Sequence, residues 1–240
     1  MTRKKRMLAV VVSVLCICMT AAGKTYLVSV GVSDYPGSSN DLVLPARDAN
    51  TIAWIYSRNT DVEYALLLND KATCTNIKKS MNALFSKADA NDIVVLFFSG
   101  HGDKGCFYAY DGPLYYSSIR KAMAGSRSKH KMIFADACFS GKIRTSKTGG
   151  SSATKKADVM LFLSSRSNEK SIENPGMKNG FFTTYLEKGL RGGADANGDR
   201  TVTARELYDY VHKGVISLSG GLQHPVMWGN FPSDMPVIKW

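Results

Sequence analysis

Acidic residues are in short supply in this 240-residue chain: 20 Asp and Glu stand against 31 Lys and Arg, for a formal charge of +11. Such an excess would suit a nucleic-acid binder, yet no RNP-type, zinc-knuckle or helix-turn-helix pattern accompanies it, so that partner class is not expected. Part of the excess is local. The opening "MTRKKR" carries Arg3, Lys4, Lys5 and Arg6 and no acid, and losing those four charges takes +11 to +7.

Long apolar runs are also lacking. The run "MLAVVVSVLCICM" at 7–19 is too short to span a bilayer comfortably. Behind a basic head and ahead of the small residues "TAAG", it reads as the core of a secretory signal peptide over residues 1–23. Leu15 and Ile17, which precede Cys16 and Cys18, do not fit a lipoprotein site. The expectation is an exported, periplasmic or secreted protein whose mature chain, 24–240, makes no use of a membrane. Cysteine is sparse as well: five in the chain, of which Cys74, Cys106 and Cys138 outlast the signal. An odd number in an exported chain implies a thiol kept free, unless it bonds another chain. Cys74 and Cys106 either pair or remain buried as free thiols. No G-x-S-x-G elbow occurs, which weighs against a serine hydrolase.

What is present is an alternation of apolar runs and amphipathic stretches. "TYLVSVGV" (25–32), "EYALLLND" (63–70), "DIVVLFF" (92–98), "KMIFADA" (131–137) and "VMLFLSS" (159–165) read as strands. Helical spacing appears over 45–58, 73–88, 115–124 and 180–192, and "GCFYAYDG" reads as a hairpin turning at Asp111-Gly112. Continuous apolar strands alternating with amphipathic helices imply an α/β domain with a largely parallel sheet covered on both faces. In such sheets ligands lie beyond the carboxyl ends of the strands.

Two strands end in unusual residues. "DIVVLFFSGHGD" closes on Ser99-Gly100-His101-Gly102, and thirty-seven residues on "KMIFADACFSGK" closes on Asp136-Ala137-Cys138. If the strands are neighbours, His101 and Cys138 open onto one crevice. A thiol at its ordinary pKa is only a few per cent thiolate at neutral pH, so a nucleophilic cysteine gains from an adjacent imidazole. The backbone N–H groups of Gly102 and Cys138 would stabilise the resulting oxyanion. Glycine at 102 also lets a carbonyl approach with no Cβ in the way.

"FFSGHGD" followed by "DACFSGK" resembles the caspase-like cysteine peptidases, and the metacaspases and their bacterial relatives more than animal caspases. With "YLVSVGVSDY" early and "FFTTYLEKGL" late, the resemblance runs from about 24 to 235. It implies a three-layer caspase-like fold with about six strands, and peptide-bond hydrolysis by a Cys138–His101 dyad that needs no cofactor. Phe139 departs from the pattern, since metacaspases more often have His there; the dyad is untouched.

Side chains two apart in an extended segment point the same way, so Asp136 shares a face with Cys138. A carboxylate beside the nucleophile attracts Arg or Lys, and the expected substrate is a peptide or protein with Arg or Lys before the scissile bond. Resemblance to metacaspases adds Asp34 as a second acidic pocket residue and Ser99 as a lining one. The plainer readings are a capped turn for Asp136 and an ordinary turn for Asp34.

The segment 140–158 is Gly/Ser-rich and basic, with Lys142, Arg144, Lys147, Lys155 and Lys156 within 142–157. Either it is a solvated linker or the enzyme cuts itself there, dividing a large segment (24–141) from a small one (158–240). A second motif, "DANGDRTVTARE" at 195–206, sets Asp195, Asn197, Asp199, Thr201 (through its carbonyl), Thr203 and Glu206 in the order of an EF-hand loop, so calcium is the metal to consider. Arg200 occupies the usual glycine position. The competing reading is a capped turn, Thr203 and Glu206 forming a capping box. Two functions remain: an exported cysteine endopeptidase cutting after Arg or Lys, or a catalytically silent, calcium-dependent binding module of the same fold.

Overall fold

The computed structural model describes residues 23–58, 61–103, 105–137, 159–165 and 176–240. Residues 1–22 of the expected signal peptide (1–23), Cys138 and the basic loop 142–157 lie outside the described residues. In chain order the elements are β1 (Thr25–Gly31), α1 (Pro45–Ser57), β2 (Val62–Leu68), α2 (Cys74–Phe85), β3 (Ile93–Gly100), β4 (Cys106–Ala109), β5 (Gly112–Tyr115) and α3 (Tyr116–Ala124). Then follow β6 (His130–Ala137), β7 (Val159–Leu163), α4 (Phe181–Lys188), β8 (Thr201–Thr203), α5 (Ala204–Leu218), β9 (Val226–Trp228) and β10 (Pro236–Lys239).

The central sheet has six strands in the order β2-β1-β3-β6-β7-β9, and six is about the number the family resemblance implied. β1, β2, β3, β6 and β7 pair in parallel, and β9 closes the edge antiparallel to β7. β1 and β3 are buried along their whole length. Helices cover both faces, so neither face needs polar residues and no apolar–polar alternation shows. One core packs α1, α4 and α5 against Leu27, Phe97, Phe134 and Phe162. The opposite core packs α2 and α3 against Val28, Leu96, Phe98 and Ala135. This is the expected three-layer arrangement.

Local chemistry sets the helix starts. Pro45 opens α1, where its missing N–H costs nothing. Thr73 caps α2 by accepting from the Asn76 N–H, worth about 1 kcal/mol. Two details differ from the sequence expectation. In the hairpin Ala109 sits opposite Gly112, so the turn is Tyr110-Asp111 and Gly112 opens β5 at φ +131°. Asp111 stays in the turn, where its carboxylate accepts the Cys74 N–H at 2.6 Å, at the positive end of α2. The helix expected over 180–192 is α4 running into a π-turn at Gly189–Gly193, which ends on Gly192 at φ +102°.

No helix among the described residues is long and apolar enough to cross a membrane.

Candidate active site

The β3–β6 register decides what can meet at the carboxyl edge. Ser99 pairs with Asp136, and Gly100 with Ala137. His101 and Cys138 are the next residues along their chains.

His101 is held from several sides. Gly100 has φ +152°, and a Cβ there would lie 2.7 Å from the Tyr35 hydroxyl, so glycine lets the strand end beneath that ring. The His101 N–H donates to Tyr35 Oη at 2.9 Å, and Tyr35 in turn donates to the Tyr108 carbonyl at 3.1 Å. The Tyr108 N–H donates to the His101 carbonyl at 2.9 Å. The Tyr35 ring lies 4.8 Å from the imidazole, centre to centre. Burial raises the Tyr35 pKa, so its hydroxyl stays a donor. His101 Nε2 is 2.8 Å from the Asn40 carbonyl oxygen. A carbonyl can only accept, so Nε2 carries a proton, and the tautomer this contact selects has its lone pair at Nδ1.

Gly102 forms a bridge with Phe107 that engages the N–H groups of Asp103 and Tyr108. Its own N–H makes no hydrogen bond among the described residues.

Below this edge lies a buried acidic cluster. Ser99 is 2% exposed and Asp136 7% exposed, on the same side of the sheet as Phe97 and Phe134. Asp136 Oδ2 accepts from the Thr183 N–H at 3.2 Å and from Thr183 Oγ1 at 2.9 Å. It therefore does cap, and the element it caps is α4. The second carboxylate is Asp48, 1% exposed in the first turn of α1. Its Oδ2 accepts from Ser99 Oγ at 2.9 Å and its Oδ1 from the Gly180 N–H at 3.1 Å. A Cβ on Gly180 would stand 2.5 Å from Asp136 Oδ2 and 3.5 Å from Asp48 Oδ2, so these oxygens are no more than about 6 Å apart. Both acids meet the first N–H groups of α4, whose positive end offsets part of the cost of burying them.

Asp34 is exposed in the turn after β1, with its N–H directed to Asn69 Oδ1 at 3.3 Å. Asp48, which the sequence reading passed over, is the acid that reaches Ser99. Its signal was legible: it stands four residues before Ile52 and seven before Ile55, on the buried stripe of α1.

Cys74 and Cys106 are free thiols, not a disulfide. Burial pushes the Cys74 pKa up to about 11 and raises that of Cys106. Both stay protonated near neutral pH and are poor nucleophiles.

In the 195–206 loop, Asp195 accepts from the N–H groups of Gly198 and Arg200 at 2.9 and 3.1 Å. Asp199 Oδ1 accepts from the Thr201 N–H, and Asn197 Oδ1 from the Asp199 N–H. Arg200 adopts φ +64°, the left-handed bend glycine usually provides. The Thr203–Glu206 capping box is formed, with Glu206 Oε2 also bonded to Thr203 Oγ1 at 2.7 Å. Glu206 Oε1 takes the Ala196 N–H at 3.2 Å. Among the described residues no group of three or more His, Cys, Asp and Glu is gathered to hold a metal.

The family profile described as caspase domain matches residues 25–235. Two solved structures share the fold. A Geobacter sulfurreducens protein, GSU0716, aligns with a TM-score of 0.66 at 16% identity, covering 88% of this chain and 95% of its own. Caspase-1 from Spodoptera frugiperda aligns with a TM-score of 0.63 at 16% identity, covering 88% of each chain. No curated protein matches the sequence. With a match over most of its length, this chain belongs to the caspase-domain family of cysteine peptidases.

Proposed function

We propose that the chain is an exported cysteine endopeptidase that cuts after Arg or Lys, with Cys138 as nucleophile and His101 as base. The observation that carries this reading is the β3–β6 register, with Gly100 beside Ala137, one residue short of His101 and of Cys138. Cys138 passes its thiol proton to His101 Nδ1, and the thiolate attacks the substrate carbonyl carbon. The N–H groups of Gly102 and Cys138 receive the oxyanion. The imidazolium returns the proton to the leaving amine, and water, deprotonated by His101, releases the acyl group from sulfur. Asn40 keeps the ring in the tautomer this sequence needs.

The acidic cluster favours a basic residue before the scissile bond. Asp48 and Asp136 supply the charge, Ser99 lies between them, and Asp34 contributes from the rim. Their closeness makes a bound guanidinium or ammonium the natural counter-ion.

The direct test is a covalent inhibitor bearing an arginine next to its reactive group. Mass spectrometry is expected to find it on Cys138 and not on Cys74 or Cys106. No modification at Cys138 would instead favour the silent binding module.

Self-processing belongs to the same reading. Wild-type protein is expected to be cut within 142–157 on storage, while Cys138→Ala stays full length. Two intact proteins would remove self-cleavage from the proposal.

Calcium enters as a modulator at Asp195, Asn197, Asp199, Thr201 and Glu206. Binding there would draw Glu206 from its capping box, so affinity in the weak range, about 10⁻⁴–10⁻³ M, is expected. Calorimetric titration checks this, with the signal lost in Asp195→Ala; a flat wild-type trace leaves only the capped turn.

A further inference from the structure

The edge of the sheet opposite His101 carries a cleft. α1 returns the chain from the carboxyl end of β1 to the start of β2, so its last turn lies at the far edge. There Trp54, Ile55 and Arg58 meet Leu190 and Arg191 of the π-turn, and Trp240, around a cleft of about 280 Å³. Ile55 and Leu190 are buried and make an apolar floor. Trp54 and Trp240 are each 46% exposed, a large expanse of aromatic surface to leave facing water.

The walls are held in place. The Trp240 N–H donates to the Arg200 carbonyl at 3.2 Å. Its ring lies against Gly192, where a Cβ would come within 3.0 Å of Cζ2. The guanidinium carbons of Arg58 and Arg191 stand 5.0 and 5.4 Å from the Trp54 ring centre. Stacking on an indole orients a guanidinium and leaves its in-plane N–H groups pointing outward. Arg191 is partly balanced by Glu187, with Nη1 3.3 Å from Oε1. The Arg58 guanidinium has no hydrogen bond or ion pair among the described residues.

We infer that this cleft binds a small anion mounted on a flat aromatic ring, of the aryl carboxylate or aryl phosphate class. The forked donors of Arg58, aided by Arg191, take the acidic group in bidentate fashion. The exposed indoles and the apolar floor take the ring. The volume suits one ring and one acidic group, near the lower end of ligand cavities. The inference is independent of the peptidase reading, because no residue of the cleft belongs to the proposed active site.

The test is binding to the full mature chain, followed by calorimetry and by tryptophan fluorescence, to which two of the three tryptophans would respond. Phenyl phosphate and benzoate are expected to bind one per chain with Kd of about 10⁻⁴–10⁻³ M. Inorganic phosphate and benzyl alcohol should bind at least about tenfold more weakly, since each offers only half of the recognised chemistry. Arg58→Gln and Trp54→Leu should each weaken phenyl phosphate by about tenfold or more with unchanged thermal midpoints. Inorganic phosphate binding as well as phenyl phosphate would reduce the site to a patch of charge and overturn the proposal. So would wild-type affinity in a folded Arg58→Gln, or the absence of any binding to wild type.

Discussion

Cys138→Ala is expected to abolish peptide hydrolysis, lowering kcat by about 10⁴-fold or more while leaving substrate affinity nearly unchanged. The site that would hold the basic side chain is built from Asp48, Ser99 and Asp136, in which Ser99 hydrogen-bonds to Asp48 and both acids to the start of α4. His101→Asn should fall in the same direction by about 10²–10⁴-fold, the usual contribution of a positioned base. The two losses should not add, because thiol and imidazole act as one unit. The asparagine variant is the sharper probe. Its amide resembles part of the imidazole in size, so an unchanged melting temperature with lost turnover isolates proton transfer from folding. Turnover within tenfold of wild type in either variant would leave the dyad without support. The group that fixes the tautomer is a main-chain carbonyl, so no side-chain substitution at Asn40 should mimic these losses.

The next largest effect is expected at the acidic cluster. Asp48→Asn and Asp136→Asn each remove a charge while keeping an acceptor for Ser99, Gly180 or Thr183. Truncating one member of a buried charge pair costs about 2–5 kcal/mol, or roughly 30- to several-thousand-fold in kcat/KM. The loss should fall mainly on KM for Arg- and Lys-ending peptides. Peptides ending in citrulline, which keeps the shape of arginine without its charge, should lose far less. Asp34→Asn should change kcat/KM only a few-fold, since an exposed charge is well screened. Equal turnover of Asp-ending and Arg-ending peptides by the wild type would refute the basic preference. Asp136 also caps α4, so a lowered melting temperature in its variant is expected, and the ratio of arginine to citrulline turnover separates the two roles.

Much of this architecture was legible before any coordinates. Apolar runs such as "IVVLFF" and "MIFA" are unbroken and carry β-branched and aromatic residues, which suits central strands buried on both faces. β9 was not legible, because Val226–Trp228 is a short edge strand, half-buried, with no periodic pattern to read. β8 and β10 escaped for a similar reason: they pair with each other beside α5, and a three-residue strand offers little sequence signal. At the site, Ser99 is reached through the family resemblance and Asp136 through its shared face with Cys138. Burial of Asp48 was legible from the apolar stripe of α1, but its contact with Ser99 was not, because that depends on how α1 lies across β3. Asn40 acts through its carbonyl, which every residue has, so no side chain advertises it.

His101 rests on more than the end of β3. Its amide hangs from the Tyr35 ring and its carbonyl is tied to Tyr108, while Tyr35 and Tyr108 are joined to each other. These links close a triangular brace between the first turn of the chain and the β4–β5 hairpin. A brace transmits load: whatever pries the hairpin outward tilts the imidazole. Phe107, Ala109 and Leu114 of the hairpin are buried in the core, so damage to the β4–β5 ribbon should displace the imidazole and lower the melting temperature together.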